Sequence, residues 1–183
     1  MLQPMRPHDD PVEQLTAAAR FHDYRRASNP LGDAGVSRIP GGRFPAALHE
    51  QGPTRIVPLD TSSVLGCPGP ATTPGLSANF VRVHSGDAIV TDANATSQLF
   101  FVIRGSGKTR IAADGGVDSA AGIEMPWQAG DLFTLPARSP ATHAAGEDAA
   151  LYWVHDEPLL RHLGASATQR RFGPTLYQRH AIH

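Results

Sequence analysis

From residue 54 onwards, apolar and polar residues alternate in short runs, and turns that contain glycine or proline separate these runs. A period of two is the spacing of a β-strand with one buried face. The runs are TRIVPLD, SANFVRVHSG, DAIVTDA, SQLFFVIRGSG, KTRIAAD, IEMPWQAGD, LFTLPA and ALYWVHDE. Many short strands at close spacing, with no helix between them, indicate an antiparallel sandwich or barrel. We therefore predict an all-β domain.

The turn residues support this fold class. The chain has 18 glycines and 16 prolines, spread along its length rather than repeated at a period. A helical bundle would not tolerate so many helix-breaking residues, whereas many short strands need them. The stretches RGSG and ADGG are signals for tight turns between strands.

The charge balance and the single cysteine exclude several classes of partner. The 16 basic and 17 acidic side chains nearly cancel, so no strong field attracts nucleic acid or an anionic membrane. Cys67 is the one cysteine, which rules out an intramolecular disulfide and suits a reducing compartment. The first residues lack a secretory pattern, and no apolar run reaches membrane-spanning length. We expect a cytoplasmic protein without a nucleic-acid or membrane partner.

Helices are predicted on either side of the strand region. Asp10 is a good N-cap and Pro11 suits the first helical position, which predicts an N-terminal helix over residues 11–26. The stretch EPLLRHLG predicts a short C-terminal helix. We therefore divide the chain into a helix and extended arm (1–50), a barrel (51–164) and a tail (165–183).

Three stretches carry a family resemblance, and they are LFFVIRGSGKTRI, MPWQAGDLFTLPARSPATHAA and EDAALYWVHDEPLLRHLG. In this order they resemble the cupin superfamily of jelly-roll barrels. They are most similar to the amino-terminal barrel of bicupins that include gentisate, salicylate and 1-hydroxy-2-naphthoate dioxygenases. The resemblance covers about residues 76–164. It implies a cupin jelly-roll barrel with an N-terminal helical extension and a short C-terminal helix.

The resemblance also implies where metal ligands belong. Members with metal carry His-x-His on one strand and a Glu or Gln four residues further on. Counting back from Gly105, the His-x-His positions are Asp92 and Asn94, and the acidic position is Gln98. We expect these three polar side chains to face the barrel interior.

A last histidine in such members follows the proline of the second motif by five residues. Counting forward from Pro136, this position is Ala141, and His143 lies two residues beyond it. All three expected histidines are therefore missing. The residues left as candidate metal ligands are Asp92, Asn94, Gln98 and His143.

Two interpretations of these four residues stand side by side. They could form an oxygen-rich site that binds a hard cation weakly, or they could hydrogen-bond one another inside the barrel. The second is favoured, because iron oxygenases need imidazole and carboxylate donors with open positions. We expect no cofactor; the alternative is Fe(II) or another divalent metal.

Four basic side chains are candidates for ligand binding. Arg82 and His84 could hold an anionic ligand, although partly exposed strand positions explain them as well. His155 could reach the barrel mouth or bond the nearby Asp156 backbone. Arg104 belongs to a basic rim that could attract a carboxylate, and surface charge along a sheet edge explains it equally.

Two classes of function remain open. The first is a cupin with a degenerate, metal-free site that acts as a structural domain or binds a small molecule such as an aromatic carboxylate. The second is a gentisate 1,2-dioxygenase-like enzyme, or its non-catalytic half, which would cleave a hydroxylated aromatic acid with a non-heme metal. We also expect a homo-oligomer such as a homodimer, and a second cupin chain as partner is a third possibility.

Overall fold

The computed structural model describes residues 41–112 and 122–182. All of them belong to one compact unit, which spans residues 39–183. The helix predicted at 11–26 lies outside the described residues. The described strands are β1 (Arg55–Pro58), β2 (Ser77–Val83), β3 (Ala88–Thr91), β4 (Ser97–Arg104), β5 (Ser106–Ala112), β6 (Gly122–Gln128), β7 (Leu132–Pro136), β8 (Ala141–Ala145), β9 (Ala149–His155) and β10 (Thr175–Tyr177). The described helices are α1 (Ala47–Glu50), α2 (Ser62–Leu65), α3 (Glu157–Leu163) and α4 (Arg179–Ile182).

The strands form two antiparallel sheets. One has six strands in the order β1-β2-β9-β4-β7-β10, and the other has four in the order β3-β8-β5-β6. Both sheets contribute to a single buried core, with Val81, Phe100 and Leu151 from the first and Met125 and Trp127 from the second. The predicted all-β class is confirmed.

Side chains along β4 show how the alternation fills this core. Gln98, Phe100 and Val102 are buried, whereas Phe101 between them is 40% exposed. Successive side chains of a strand point to opposite faces, so only one of two neighbours can enter the core.

The segments after the last long strand also pack on the barrel. The predicted C-terminal helix is confirmed as α3, and it ends at Gly164, whose φ of 64° lies in the left-handed region. Further along, β10 pairs with β7 at the edge of the six-stranded sheet. Part of the predicted tail is therefore an edge strand. Within residues 41–112 and 122–182, no helix is long and apolar enough to cross a membrane.

Candidate functional site

His143 occupies the centre of the barrel interior. It lies on β8 between Ala141 and Ala145, all three side chains are buried, and its exposure is 0%. Its Nε2 atom is 2.8 Å from Oγ1 of Thr91, and its Nδ1 atom is 2.8 Å from Oγ1 of Thr109. In a neutral imidazole one ring nitrogen donates and the other accepts. Both nitrogens of His143 are therefore used by threonine hydroxyls.

Aromatic side chains complete the surroundings of His143. Trp127 donates its Nε1 proton to the same Thr109 hydroxyl at 2.9 Å. The rings of Phe100 and Phe133 lie with their centroids 4.9 and 6.2 Å from that of His143. Burial lowers the pKa of His143 to about 3, because the enclosed site disfavours the charged imidazolium. His143 is thus a neutral member of a hydrogen-bonded core network.

Gln98 is a second polar side chain in the interior, and both ends of its amide are engaged. Trp153 donates its Nε1 proton to Oε1 of Gln98 at 3.0 Å. The Nε2 atom of Gln98 donates to the carbonyl of Ser139 at 3.3 Å. The prediction that Gln98 faces inward is confirmed by its 1% exposure. Its partners differ from those predicted, because Asp92, Asn94 and His143 are not among them.

Asp92 and Asn94 do not face the interior. Both are exposed, whereas Thr91, Ala93 and Ala95 are buried, so the inward orientation expected for them is wrong. Residues 92–96 form an irregular link between β3 and β4. Strict alternation of side chains between the two faces of a sheet holds only within a strand, so counting back from Gly105 cannot tell which way Asp92 and Asn94 point.

Asn94 serves the fold instead. Its Nδ2 atom donates to the carbonyl of Ala165 at 3.2 Å, and its Oδ1 atom accepts the N–H of Ala167 at 3.1 Å. These two bonds attach the segment that follows α3 to the link between β3 and β4. Asn94 is therefore an anchor for the C-terminal segment.

The four candidate ligands do not fit the iron that the resemblance implies. The structure does not bring them together, since two are exposed and two are buried with partners of their own. Across the parts of the chain that the structure describes, no group of three or more His, Cys, Asp or Glu side chains could hold a metal ion. Fe(II) in oxygenases needs imidazole and carboxylate donors that are free to coordinate.

Two of the predicted ligand-binding residues, Arg82 and Arg104, support the segment around α1. Arg82 is 4% exposed; its Nε donates to the Gly52 carbonyl at 2.6 Å and its Nη2 bonds Asp148 Oδ2 at 2.8 Å. Arg104 donates from Nη2 to the Glu50 carbonyl at 2.9 Å. These bonds of Arg82 therefore serve the fold, whereas Arg104 bonds through Nη2 and its buried Nε has no hydrogen-bond partner among the described residues.

Asp148 joins this arrangement at the surface. The Ser85 N–H donates to Asp148 Oδ1 at 3.0 Å and, with the Arg82 guanidinium, holds the pKa of that carboxyl below its usual range. The Nε2 atom of the exposed His84 ring lies 3.7 Å from Oδ1 of Asp148. His84 therefore stays open to solvent, and its predicted ligand role stays a prediction.

His155 is buried beside the mouth of the barrel. It is 6% exposed, and its Nε2 atom lies 3.3 Å from Nδ2 of Asn79. Its Nδ1 atom is buried without a hydrogen bond and lies 3.9 Å from Oε2 of Glu157. Burial lowers the pKa of His155 to about 4, against an opposing effect of Asp156. A neutral imidazole is the result, and its ligand role remains a prediction.

Two of the open pockets formed by the described residues bear on ligand binding. One, of about 430 Å³, is at the barrel mouth and is lined by Asp92, Ala93, Asn94, Arg138, Pro140 and Glu157. The other, of about 470 Å³, lies between the loop 66–76 and α3 and is lined by Cys67, Pro68, Pro74, Gly75, Pro158, Leu159, Arg161 and His162. Neither pocket was predicted from the sequence. The GCPGPATTPG loop, whose prolines restrict the backbone, was the one local signal for the second pocket.

Known proteins of similar structure identify the barrel. A crystal structure of salicylate 1,2-dioxygenase from Pseudoaminobacter salicylatoxidans with gentisate matches with a TM-score of 0.50 at 20% identity, over 77% of this chain and 32% of that one. This chain has a cupin fold. A crystal structure of a mutant of the same dioxygenase matches the cupin barrel with the same TM-score and identity, over 66% of this chain and 32% of the mutant. The predicted resemblance to cupins is thereby confirmed.

Sequence comparison adds one relative of this chain. This chain is 30% identical to a 5-aminosalicylate 1,2-dioxygenase from Comamonas sp over 108 residues. Those residues make up 58% of this chain and 26% of the relative. No protein-family model matches the sequence. The cupin chain thus spans about a quarter of the curated relative that it matches.

Proposed function

We propose that this chain is a cupin domain without a resident metal, which acts by binding a small molecule rather than by oxidising one. The observation that carries the proposal is the pair of 2.8 Å hydrogen bonds from His143 to Thr91 and Thr109. They occupy both ring nitrogens of the interior imidazole. A metal could bind His143 only if one of these bonds were broken in a buried site, which costs the desolvation of a threonine hydroxyl.

The packing around His143 supports the same proposal. Phe100 stacks on Phe133 with a centroid separation of 4.7 Å and on Trp153 at 5.8 Å. These rings pack in the buried core beside His143, whose ring centroid lies 4.9 Å from that of Phe100. Opening a cavity there would remove contacts that stabilise the fold.

Metal analysis of the full chain tests the proposal. The purified protein is incubated with Fe(II) under anaerobic conditions, desalted and analysed for iron, and oxygen uptake is then followed with gentisate. We expect substoichiometric iron and no oxygen uptake above that of a buffer control. The proposal would be overturned if the protein bound one iron per chain and His143→Gln lost that iron. The exposed Lys108→Ala variant is the control and should then keep it.

A second candidate function is a ring-cleaving dioxygenase with a substitute ligand set. The 30% identity to a 5-aminosalicylate 1,2-dioxygenase favours it. Such an enzyme would act on a hydroxylated aromatic acid with Fe(II) or another divalent metal. The same experiment separates the two candidates, since stoichiometric iron with oxygen uptake on gentisate supports only this one.

The partner of this chain is a separate question. The outer edges of β1, β3, β6 and β10 end the two sheets in the described part of the chain, and we expect self-association at such an edge. Sedimentation of the full chain tests for a homodimer. Co-expression with a histidine-bearing cupin chain tests the other possibility, a heteromeric partner. We further expect a cytoplasmic location, which cell fractionation tests.

A further inference from the structure

The pocket between the loop 66–76 and α3 has the size of a small-molecule site. Its volume is about 470 Å³, and ligand pockets of proteins span about 300–1,000 Å³. It lies on the outside of the barrel wall, away from His143 and its buried network. We call it the outer pocket.

Hydrogen bonds hold one wall of the outer pocket in place. Asp60 accepts the backbone N–H groups of Ser62 and Ala71 through Oδ1, at 2.9 and 3.0 Å. The hydroxyl of Thr72 donates to the Leu59 carbonyl at 2.7 Å. These bonds fix the middle of the proline-containing loop, at Ala71 and Thr72, against the segment 59–62. A pocket whose wall is already ordered needs little reorganisation to bind a ligand.

Arg161 joins that loop to the helical wall. Its Nη1 atom donates to the Pro68 carbonyl at 3.3 Å, and its Nη2 atom lies 3.5 Å from Oε1 of Glu157. The guanidinium therefore stands at the junction of the two walls, where Glu157 offsets part of its positive charge and the Pro68 and Pro70 carbonyls accept from Nη1. It is one third exposed, so its remaining donors can still meet a ligand at the rim of the outer pocket. The side chain of His162, next along α3, lines the same pocket.

The lining chemistry distinguishes the two open pockets. The outer pocket is walled by prolines and Leu159, and its charged or titratable polar groups are basic apart from the Cys67 thiol. The mouth pocket instead carries the carboxylates of Asp92 and Glu157 beside a single arginine. Glu157 pairs with Arg161 and so weakens the positive charge of the outer pocket as well. A carboxylate ligand is still favoured in the outer pocket over the mouth pocket, because His162 adds a second basic group there whereas Asp92 adds a second carboxylate to the mouth pocket.

The apolar surface around the outer pocket favours a ligand with a ring. Leu159 lines the pocket and is still 42% exposed, and Leu76, next to the lining residue Gly75, is 43% exposed. Covering such surface stabilises a complex, because apolar area is removed from water. The combination of apolar walls and a basic rim matches an aromatic ring that carries one acidic group.

We propose that the outer pocket is the ligand site of this chain and that it binds a small aromatic carboxylate. The ring would lie against Leu159 and the prolines, and the carboxylate would face Arg161 and His162. The inference deepens the proposed binding function by giving the ligand class and its place. The site is independent of the barrel interior, so iron in the barrel would overturn the proposed function and leave this pocket untouched.

Cys67 provides a direct readout, because it lines the outer pocket and is the only cysteine of the chain. The full chain is alkylated with iodoacetamide, and the rate is followed by mass spectrometry with and without salicylate as the probe. At about ten times its Kd, salicylate should slow alkylation about tenfold, because only the unoccupied fraction reacts. Salicylamide, which has the same ring but no charge, should protect less at equal concentration.

Two substitutions on α3 form a matched pair. Leu159→Asp places a carboxylate in the outer pocket, and Leu163→Asp places one on an exposed side chain that does not line it. The alkylation rate without salicylate, divided by the rate with it, should fall from about ten to one in Leu159→Asp and stay near ten in Leu163→Asp. If circular dichroism shows that Leu159→Asp does not fold, the neutral Leu159→Gln replaces it, and we expect weakened protection.

Several outcomes would overturn the inference. They are absence of protection in the unmodified chain, equal protection by salicylate and salicylamide, and full protection that persists in Leu159→Asp. If Leu159→Asp changes the oligomeric state while salicylate has no effect on either protein, the pocket face is a subunit interface and the ligand assignment falls.

Discussion

His143 on β8 and Thr91 on β3 share a 2.8 Å hydrogen bond inside the barrel, at a position where each side chain is 0% exposed. The bond runs between neighbouring strands of the four-stranded sheet. Thr109 on the next strand, β5, closes the arrangement by bonding the other ring nitrogen. One imidazole therefore joins three adjacent strands, which explains how a neutral histidine can be buried there.

The Thr109 hydroxyl is the most heavily used atom of this network, since it bonds both His143 and Trp127. In Thr109→Val the side-chain shape is kept, but two buried nitrogens lose their partner. We expect the free energy of unfolding to fall by about 3 kcal/mol, since each unsatisfied buried group costs about 1–3 kcal/mol. Urea denaturation measures it.

The matched control is Thr142→Val, which lies on β8 next to His143 and is only half-buried. Its side chain points away from the interior, so we expect a change within about 0.5 kcal/mol. Equal losses in the two variants would show that the His143 network contributes nothing specific.

Stability should fall with acid because of the two buried histidines. The folded-state pKa is about 3 for His143 and about 4 for His155, against about 6.5 in the unfolded chain. The unfolded state therefore binds more protons below pH 6.5, and each histidine lowers the free energy of unfolding by about 1.4 kcal/mol per pH unit. The stability contributed by each histidine is fully present above about pH 7 and continues to fall with pH until the pH reaches its folded-state pKa.

Urea midpoints between pH 7.5 and 5 measure this dependence, with the slope taken over the acid half of the range. We expect His143→Gln to lower stability at pH 7.5 and to remove about half of the slope. The slope that remains belongs to His155. Asp148, whose folded-state pKa is lowered from the ordinary carboxyl value, changes stability only below about pH 5 and so falls outside this range. An unchanged slope in His143→Gln would contradict a neutral His143.

The strands could be predicted from the sequence because their signal is local. Alternation within five to eight residues is visible wherever one face of a strand is buried, as along β4 and β9. The faces on which Asp92 and Asn94 lie could not be predicted, because residues 92–96 are an irregular link. A count of residues back from Gly105 therefore loses the alternation of faces before it reaches them. The partner of Arg82 is Asp148, which lies 66 positions away, and no local pattern contains that pairing.

The outer pocket was beyond sequence reasoning for the same reason. Its two walls come from opposite ends of the barrel sequence, and the Arg161 side chain reaches the Pro68 carbonyl across 93 positions. The sequence indicated both the proline-containing loop and helix α3 as separate features. Their contact depends on the order of strands within the sheets, which periodicity does not determine.

Gly107 on β5 is required by close packing. A Cβ atom there would lie 2.3 Å from the Ala144 carbonyl oxygen and 2.6 Å from the Trp127 ring. Because the nearest atom is backbone, the strands themselves would have to shift. We expect Gly107→Ala to destabilise the protein by about 1–3 kcal/mol and to change the fluorescence of Trp127.

Gly146 serves as the control for that substitution. A Cβ atom there meets nothing within 4 Å, so we expect Gly146→Ala to leave the urea midpoint within about 0.5 kcal/mol of the original stability. If Gly107→Ala were equally harmless, the approach of β5 to Ala144 would have to be looser than the structure shows.

Arg82 should control the order of the segment that contains α1. Its guanidinium holds the Gly52 carbonyl at 2.6 Å and the Asp148 carboxylate at 2.8 Å from a buried position on β2. Arg82→Met keeps much of the apolar stem but removes these bonds, and we expect a loss of about 2 kcal/mol in the free energy of unfolding. Hydrogen exchange of the backbone N–H groups of residues 48–51 should accelerate more than exchange in the core strands.

The control is Lys108→Met, which removes an exposed ion pair with Glu124. We expect it to change the free energy of unfolding by no more than about 0.5 kcal/mol and to leave the exchange of residues 48–51 unchanged. Uniform acceleration across the whole barrel in Arg82→Met would show instead that Arg82 supports global stability and not this segment.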